Sequence, residues 1–284
     1  MAAVLGTNVA SLWASKNLQS AQTSMANSVE RLSSGLRINR ARDDAAGLGV
    51  ANALTQQINS ADMGIRNLSD GISIVQTAEG ALAQATEMGQ RILALSIQGT
   101  NSALSDAQKK SISTEMSSLL DGIDAIQART KFGSTTTTLF NATAIPVYSS
   151  NVSSDSVSIT AASLTTISTA SGGAANALKA SVTVAATTVT AATFQQITTL
   201  TSSFITALDT QRGTLGAIQN QMEYSVNNIT ELSANLTSAR SRIIDTDYAS
   251  ETATLTKGQI LQQAATAMLA QANQMPNVIL SLLK

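Results

Sequence analysis

Between residues 193 and 243 the apolar positions fall into two interleaved seven-residue rows. Leu215, Met222, Ile229, Leu236 and Ile243 make one; Ile197, Phe204, Gln211, Ile218, Ser225, Leu232 and Ala239 make the other. This 3,4 spacing puts a narrow stripe on one continuous α-helix and leaves Asn, Gln, Ser and Thr around the rest, as in a coiled-coil seam. At about 1.5 Å per residue such a helix is roughly 75 Å long, so its stripe needs partners of similar length.

The same period recurs upstream. Leu5, Val9 and Leu12 begin a helical stripe that Leu18, Gln22, Met25, Val29, Leu32 and Leu36 continue after a shift in phase, which predicts a helix with a stutter. Gly35 ends it. Residues 38–44 (INRARDD) carry charge without periodicity and predict a solvated connector, with Asp43 or Asp44 capping the next helix. There Leu54, Ile58, Ala61, Ile65, Leu68, Ile72, Val75 and Leu82 form a seam, and Ala85, Met88, Ile92 and Leu95 carry it to about Gln98. Gly64, Gly71, Gly80 and Gly89 interrupt it at about 1 kcal/mol each relative to Ala, which predicts close approach of a neighbouring backbone. Ser105 and Gln108 form a capping-box pattern before a helix carrying Ile112, Met116, Leu119, Ile123 and Ile126, ending near Thr130. The three stripes can bury one another as an antiparallel bundle with Leu54, Ile58, Ile65, Leu68, Ile72, Ile112, Met116, Leu119, Leu215, Met222, Ile229 and Leu236 as its core.

Residues 131–192 differ in character. Val, Thr, Ala and Ser dominate, Thr135 to Thr138 is a run of one residue type, 156–160 (SVSIT) and 181–184 (SVTV) alternate as strands do, and Gly172 and Gly173 mark a loop. A small β-rich tip is expected. The triplets at 141–143 and 151–153 match the N-glycosylation acceptor pattern, which Ser/Thr-rich sequence generates readily by chance. After a break at 245–250 a last helix carries Leu255, Ile260, Leu261, Ala264, Ala265, Met268, Leu269 and Ala272 until Pro276 interrupts it, and Val278, Ile279, Leu280, Leu282 and Leu283 follow. The fold class is therefore mainly α: a long antiparallel helical bundle with a small β-rich tip, plus a coiled-coil pair formed by the N- and C-terminal helices. Apolar helices at both ends are a liability in a monomer, and one helix pair has little mutual surface, so both are expected to be frayed until other subunits surround them.

Composition narrows the chemistry. A chain of 284 residues with formal charge -1 gives no electrostatic case for nucleic acid or acidic lipid. With 0 His and 0 Cys it lacks the commonest general base and the usual zinc ligands, and no catalytic or metal-binding residue is assigned. Pairs such as Asp43 with Asp44 or Asp245 with Asp247 are accounted for by helix capping and linkers. The sequence has neither the cationic start and cleavage site of a secretory signal nor an apolar run of about 20 residues to span a membrane. Taken alone, these features predict a soluble cytoplasmic protein.

Several longer motifs change that expectation. Residues 30–39 (ERLSSGLRIN), 43–47 (DDAAG), 66–73 (RNLSDGIS), 76–82 (QTAEGAL), 236–248 (LTSARSRIIDTDY) and 259–274 (QILQQAATAMLAQANQ) resemble, in order, the two ends of bacterial flagellin. The resemblance covers roughly residues 3–130 and 195–284 and leaves a short middle where flagellins vary. It implies a structural, non-enzymatic and cofactor-free subunit that polymerises with itself, and with other flagellins, into the extracellular flagellar filament used for swimming. Residues 1–43 with 245–284 would form the inner tube, 44–130 with 193–244 the surrounding bundle, and 131–192 the variable region.

The implied inner-tube residues are Leu5, Val9, Leu12, Leu18, Met25, Val29, Leu32, Ile260, Leu261, Met268, Leu269, Leu280, Leu282 and Leu283. The resemblance further implies, as partners, the flagellar cap and hook-associated proteins, an export chaperone and the type III export apparatus, whose channel would explain the missing signal. A host Toll-like receptor is a further implied partner, through Gln90, Arg91, Leu95, Gln98 and Glu115, although Leu93 and Leu119 stand where strongly recognised members often carry basic residues. Two rival readings remain. A hook–filament junction protein has related ends but would not self-polymerise, and a signalling coiled coil should be more acidic and joined to a membrane span.

Overall fold

The computed structural model describes residues 8–131, 139–140, 144–150, 155–160, 174–187 and 190–282, with the side chains of 174–177, 187 and 275–282 left out of the description. Its elements are, in order, α1 (Val9–Ser34), α2 (Ala45–Gly99), α3 (Asp106–Arg129), β1 (Ile145–Tyr148), β2 (Ser156–Ile159), α4 (Ala174–Thr187), α5 (Ala191–Ile244) and α6 (Tyr248–Leu282). The chain divides into two compact units, Met1–Ile58 with Ala234–Lys284 and Asn59–Ser233. The architecture is mainly helical, as the periodicity predicts.

In the second unit α2 and α5 pack together with α3 against them. On α5 the buried row is Thr201, Leu208, Leu215, Met222 and Ile229, which is the first of the two sequence rows extended towards the N-terminus. Of the other row, Ile197 and Phe204 are buried, Ile218 packs at the core's edge, and Leu232 is 49% exposed. Facing them on α2 are Leu68, Val75, Leu82 and Ile92. Thr201 is tolerated in this interior because its hydroxyl donates to the Ile197 carbonyl at 2.7 Å. Ile65, Ile72 and Leu119 lie half-buried beside the core, and on α3 it is Leu120, with Ile112, Met116 and Ile123, that points inward. Leu54, Ile58 and Leu236 fall in the other unit, where Ile58 is buried and the remaining two are half-buried.

The helix boundaries follow local chemistry. Ser105 and Gln108 complete the expected capping box at the start of α3. The glycines of α2 divide. A β-carbon on Gly64 would lie 1.9 Å from the Ser149 carbonyl oxygen at the end of β1, and one on Gly71 or Gly89 would touch α5 side chains. At Gly80 nothing lies within 4 Å, so the expected close approach is absent there.

β1 and β2 pair antiparallel, with Ile145 opposite Ile159 and Val147 opposite Val157, so that Val147, Val157 and Ile159 enter the core. The segment 181–184, expected as a strand, belongs instead to helix α4. Leu178, Val182 and Ala185 bury one helical face there, and that 4,3 spacing outweighs the strand preference of Val and Thr. Lys179 ties α4 to α3 through Asp124 and Asp121, at 2.7 and 3.0 Å. Hydrogen bonds to these two carboxylates raise its pKa, so its small surface contribution to stability persists through neutral pH and fades only as pH climbs through that raised value. The Thr run at 135–138, the triplets at 141–143 and 151–153, and Gly172 and Gly173 lie outside the described residues.

In the first unit α1 and α6 pack antiparallel. Gly35 ends α1 in the left-handed conformation at φ +73°. Beyond it the two connectors zip together: the Arg37 amide donates to the Ile244 carbonyl at 2.6 Å and the Thr246 amide to the Gly35 carbonyl at 3.0 Å. The charged stretch 38–44 is accordingly more than a solvated linker, since Ile38 is only 4% exposed. Asp44 caps α2 by accepting from the Gly47 amide at 2.8 Å. The Asp43 carboxylate accepts from the amides of Arg40 and Asn39, which holds its pKa below the usual carboxylate value, so this contact weakens only as pH falls through that lowered value. Pro276 does not end α6, which continues to Leu282.

Candidate interaction surface

The contact between α1 and α6 alternates small residues with larger ones. On α1 the side turned inward is Ser11, Ala14, Leu18, Ala21, Met25, Ser28 and Leu32; on α6 it is Glu251, Leu255, Gly258, Gln262, Ala265, Leu269 and Ala272. Both series alternate steps of 3 and 4 without a break, so the stutter expected in α1 is absent. A β-carbon on Gly258 would sit 3.6 Å from the Met25 β-carbon, which is ordinary contact between two helices that run close together. Arg31 and Glu251 add an ion pair at 3.6 Å.

A second set of large apolar residues faces outward. Val9 is 51% exposed, Leu12 71%, Trp13 59%, Val29 50%, Ile260 61%, Leu261 48% and Met268 64%. Part of this face forms a groove of about 680 Å³ whose lining includes Trp13, Ala14, Ala21, Leu261, Ala265 and Met268. Lys16 stands with its ammonium 5.3 Å from the Trp13 ring centre. A soluble monomer rarely leaves so many large apolar side chains in water on one helix pair.

The expected inner-tube residues therefore separate into two sets. Leu18, Met25, Leu32 and Leu269 are half-buried in the seam, whereas Val9, Leu12, Val29, Ile260, Leu261 and Met268 stand outside it. Leu5 and Leu283 lie outside the described residues, as do the side chains of Leu280 and Leu282. Trp13 was not singled out from sequence, nor was the small-residue seam. The signal was present in Ala14, Ala21 and Ser28 and in Gly258, Ala265 and Ala272, each set spaced by seven.

On the bundle, Gln90, Arg91, Gln98 and Glu115 are exposed, and Arg91 donates through Nε and Nη2 to one Glu115 oxygen at 3.1 and 2.8 Å. Leu95 does not join them at the surface: it is 3% exposed and packs in the core. Among the described residues no group of acidic side chains is placed to hold a metal ion, and no helix is long and apolar enough to cross a membrane.

Residues 5–144 match the bacterial flagellin N-terminal helical region and residues 198–283 the bacterial flagellin C-terminal helical region. The chain is 36% identical to flagellin of Bacillus subtilis (strain 168), over 98% of both chains. The chain belongs to the bacterial flagellin family. It is also 34% identical to the flagellar filament 30.7 kDa core protein of Treponema maltophilum, over 99% of both. A solved Vibrio parahaemolyticus structure, provisionally assigned as a flagellar hook-associated protein, shares the fold with a TM-score of 0.61 at 13% identity, covering 72% of this chain and 100% of that one.

Flagellin is the filament subunit of the bacterial flagellum, a structural protein and not an enzyme, and it resides outside the cell in that filament. Membership of the family replaces the cytoplasmic location that composition alone predicted.

Proposed function

We propose that the outward face of α1 and α6, centred on Leu12, Trp13, Leu261 and Met268, is the surface that neighbouring flagellin subunits bury to form the inner tube. Residues 1–43 with 245–284 would make that tube, 44–130 with 193–244 the layer around it, and 131–192 the short variable part. One observation carries this reading: beyond the residues that close its own seam, the helix pair leaves a second set of large apolar side chains, Val9, Leu12, Trp13, Val29, Ile260, Leu261 and Met268, in water. Met268 provides a direct test, since a methionine residue that is 64% exposed should be oxidised readily by dilute peroxide in the monomer. Protection of at least tenfold in the filament, read by mass spectrometry of the peptide, is expected; equal oxidation in both states would overturn the reading.

The finer partners follow from the same proposal: other flagellins in a mixed filament, the cap and hook-associated proteins at its ends, and a chaperone that covers the apolar face before type III export. A second reading concerns a host Toll-like receptor. It is supported by an exposed Arg91 held in place by Glu115 beside Gln90 and Gln98, a fixed guanidinium being a common anchor at interfaces. Arg91→Ala should reduce the response of receptor reporter cells at least tenfold while changing stability by no more than about 1 kcal/mol, as expected for an exposed pair. An unchanged reporter response would remove this surface from consideration.

A further inference from the structure

Pro276 lies inside α6, and proline has no amide hydrogen to give the carbonyl four residues earlier. That carbonyl belongs to Ala272, which is 5% exposed, so water is a poor substitute. Asn8 fills the gap. Its Nδ2 donates to the Ala272 oxygen at 2.7 Å across 264 residues of sequence. The other end of the same amide is also engaged, because Oδ1 accepts from the Ser11 amide at 3.1 Å and caps α1. Rotating the side chain to exchange its two ends would lose both bonds. Next to it, the Ser11 hydroxyl donates to Asn273 Oδ1 at 3.0 Å.

At the connector end the Arg31–Glu251 pair and the Arg37–Ile244 and Thr246–Gly35 bonds hold the register, and Asn8 supplies a marker at the far end of the seam. Its small residues repeat every seven positions on both helices, so sliding α1 along α6 by seven residues would again set small against small. Only in the observed register does the Asn8 donor meet the carbonyl that Pro276 leaves without one. We infer that Asn8 and Pro276 are a matched pair: the proline creates an acceptor at one place on α6, and Asn8 reads that acceptor, fixing the register of the terminal helices and letting α6 run on to Leu282.

The substitution Asn8→Asp separates this role from helix capping, since the carboxylate still caps Ser11 but presents an acceptor to Ala272. Pro276→Ala restores the missing amide to the helix. In full-length flagellin, with wild-type monomer on wild-type seeds as the control that polymerisation itself proceeds, Asn8→Asp should raise the critical concentration about tenfold. Adding Asn8→Asp to the Pro276→Ala chain should change it by no more than about twofold. Amide exchange of residues 277–282 in the full chain should follow the same order: faster in Asn8→Asp, and restored in the double variant. This second readout decides the matter if Pro276→Ala alone impairs assembly. Wild-type behaviour of Asn8→Asp in both readouts, or an equal loss with and without Pro276, would overturn the inference.

Discussion

Flagellin carrying Leu261→Asp together with Met268→Asp is expected to fold as well as the parent chain and to fail to elongate filament seeds. Neither side chain is buried within the subunit, where they are 48% and 64% exposed, so little internal packing is lost. The cost falls at assembly. Full burial of a Leu or Met is worth about 1.5–3 kcal/mol, and half of that is a fair share for side chains already partly covered. Placing two carboxylates in an apolar contact adds several kcal/mol for each charge left unpaired. Together these exceed roughly 4 kcal/mol, or about a thousandfold in subunit affinity. Seeded growth followed by electron microscopy should show no elongation, while far-UV circular dichroism and the urea midpoint of the monomer stay at parental values. Normal elongation by the double variant would mean that some other face carries the contact.

The second large effect is a contrast between two glycines on one helix. Gly64→Ala and Gly80→Ala each bring a helix-propensity gain of about 0.5–1 kcal/mol. At Gly80 nothing opposes it, since no atom beyond the helix's own turn lies within 4 Å, and the chain should become more stable by about that amount. At Gly64 the new β-carbon would lie 1.9 Å from a backbone carbonyl oxygen and 2.8 Å from its carbon, and backbone has no rotamer by which to escape. Relief requires the end of β1 to move away. That movement would also strain the bond from Asn67 Nδ2 to the Tyr148 carbonyl, at 3.1 Å. Overpacking of this kind typically costs 1–3 kcal/mol, and contact with backbone argues for the upper half, so the net change should be a loss of about 1–2 kcal/mol. Opposite shifts of the urea midpoint test it; a Gly64→Ala chain as stable as Gly80→Ala would show that the hairpin yields without cost.

These glycines also mark how far the sequence could be read. A seven-residue row such as Leu215, Met222 and Ile229 is legible because one large apolar residue per two turns has one place to go. The capping box at Ser105 and the stop at Gly35 are legible because they depend only on neighbours along the chain. The terminal helices were harder. They carry apolar residues on two faces, so apolar spacing alone marks half of the seam, Leu18, Met25 and Leu32, and misses the small residues between them. The expected stripe thus includes Gln22 and Val29, which are exposed, where Ala21 and Ser28 hold the contact. Pro276 looks like a stop from its neighbours alone because the donor that compensates for it sits at the opposite end of the sequence. In α4, Val and Thr were read by their preference for strands, and burial at Leu178, Val182 and Ala185 decided otherwise.

The bond from Asn8 to Ala272 joins residues 264 apart. At translation rates of about 5–20 residues per second, roughly ten to fifty seconds separate the emergence of its two halves from the ribosome. Until α6 begins to emerge at Tyr248, α1 has no mate within its own chain. A polypeptide terminated prematurely, anywhere upstream of Ala272, keeps an α1 that can never be closed in this way, so the pairing certifies that synthesis has run through to that residue.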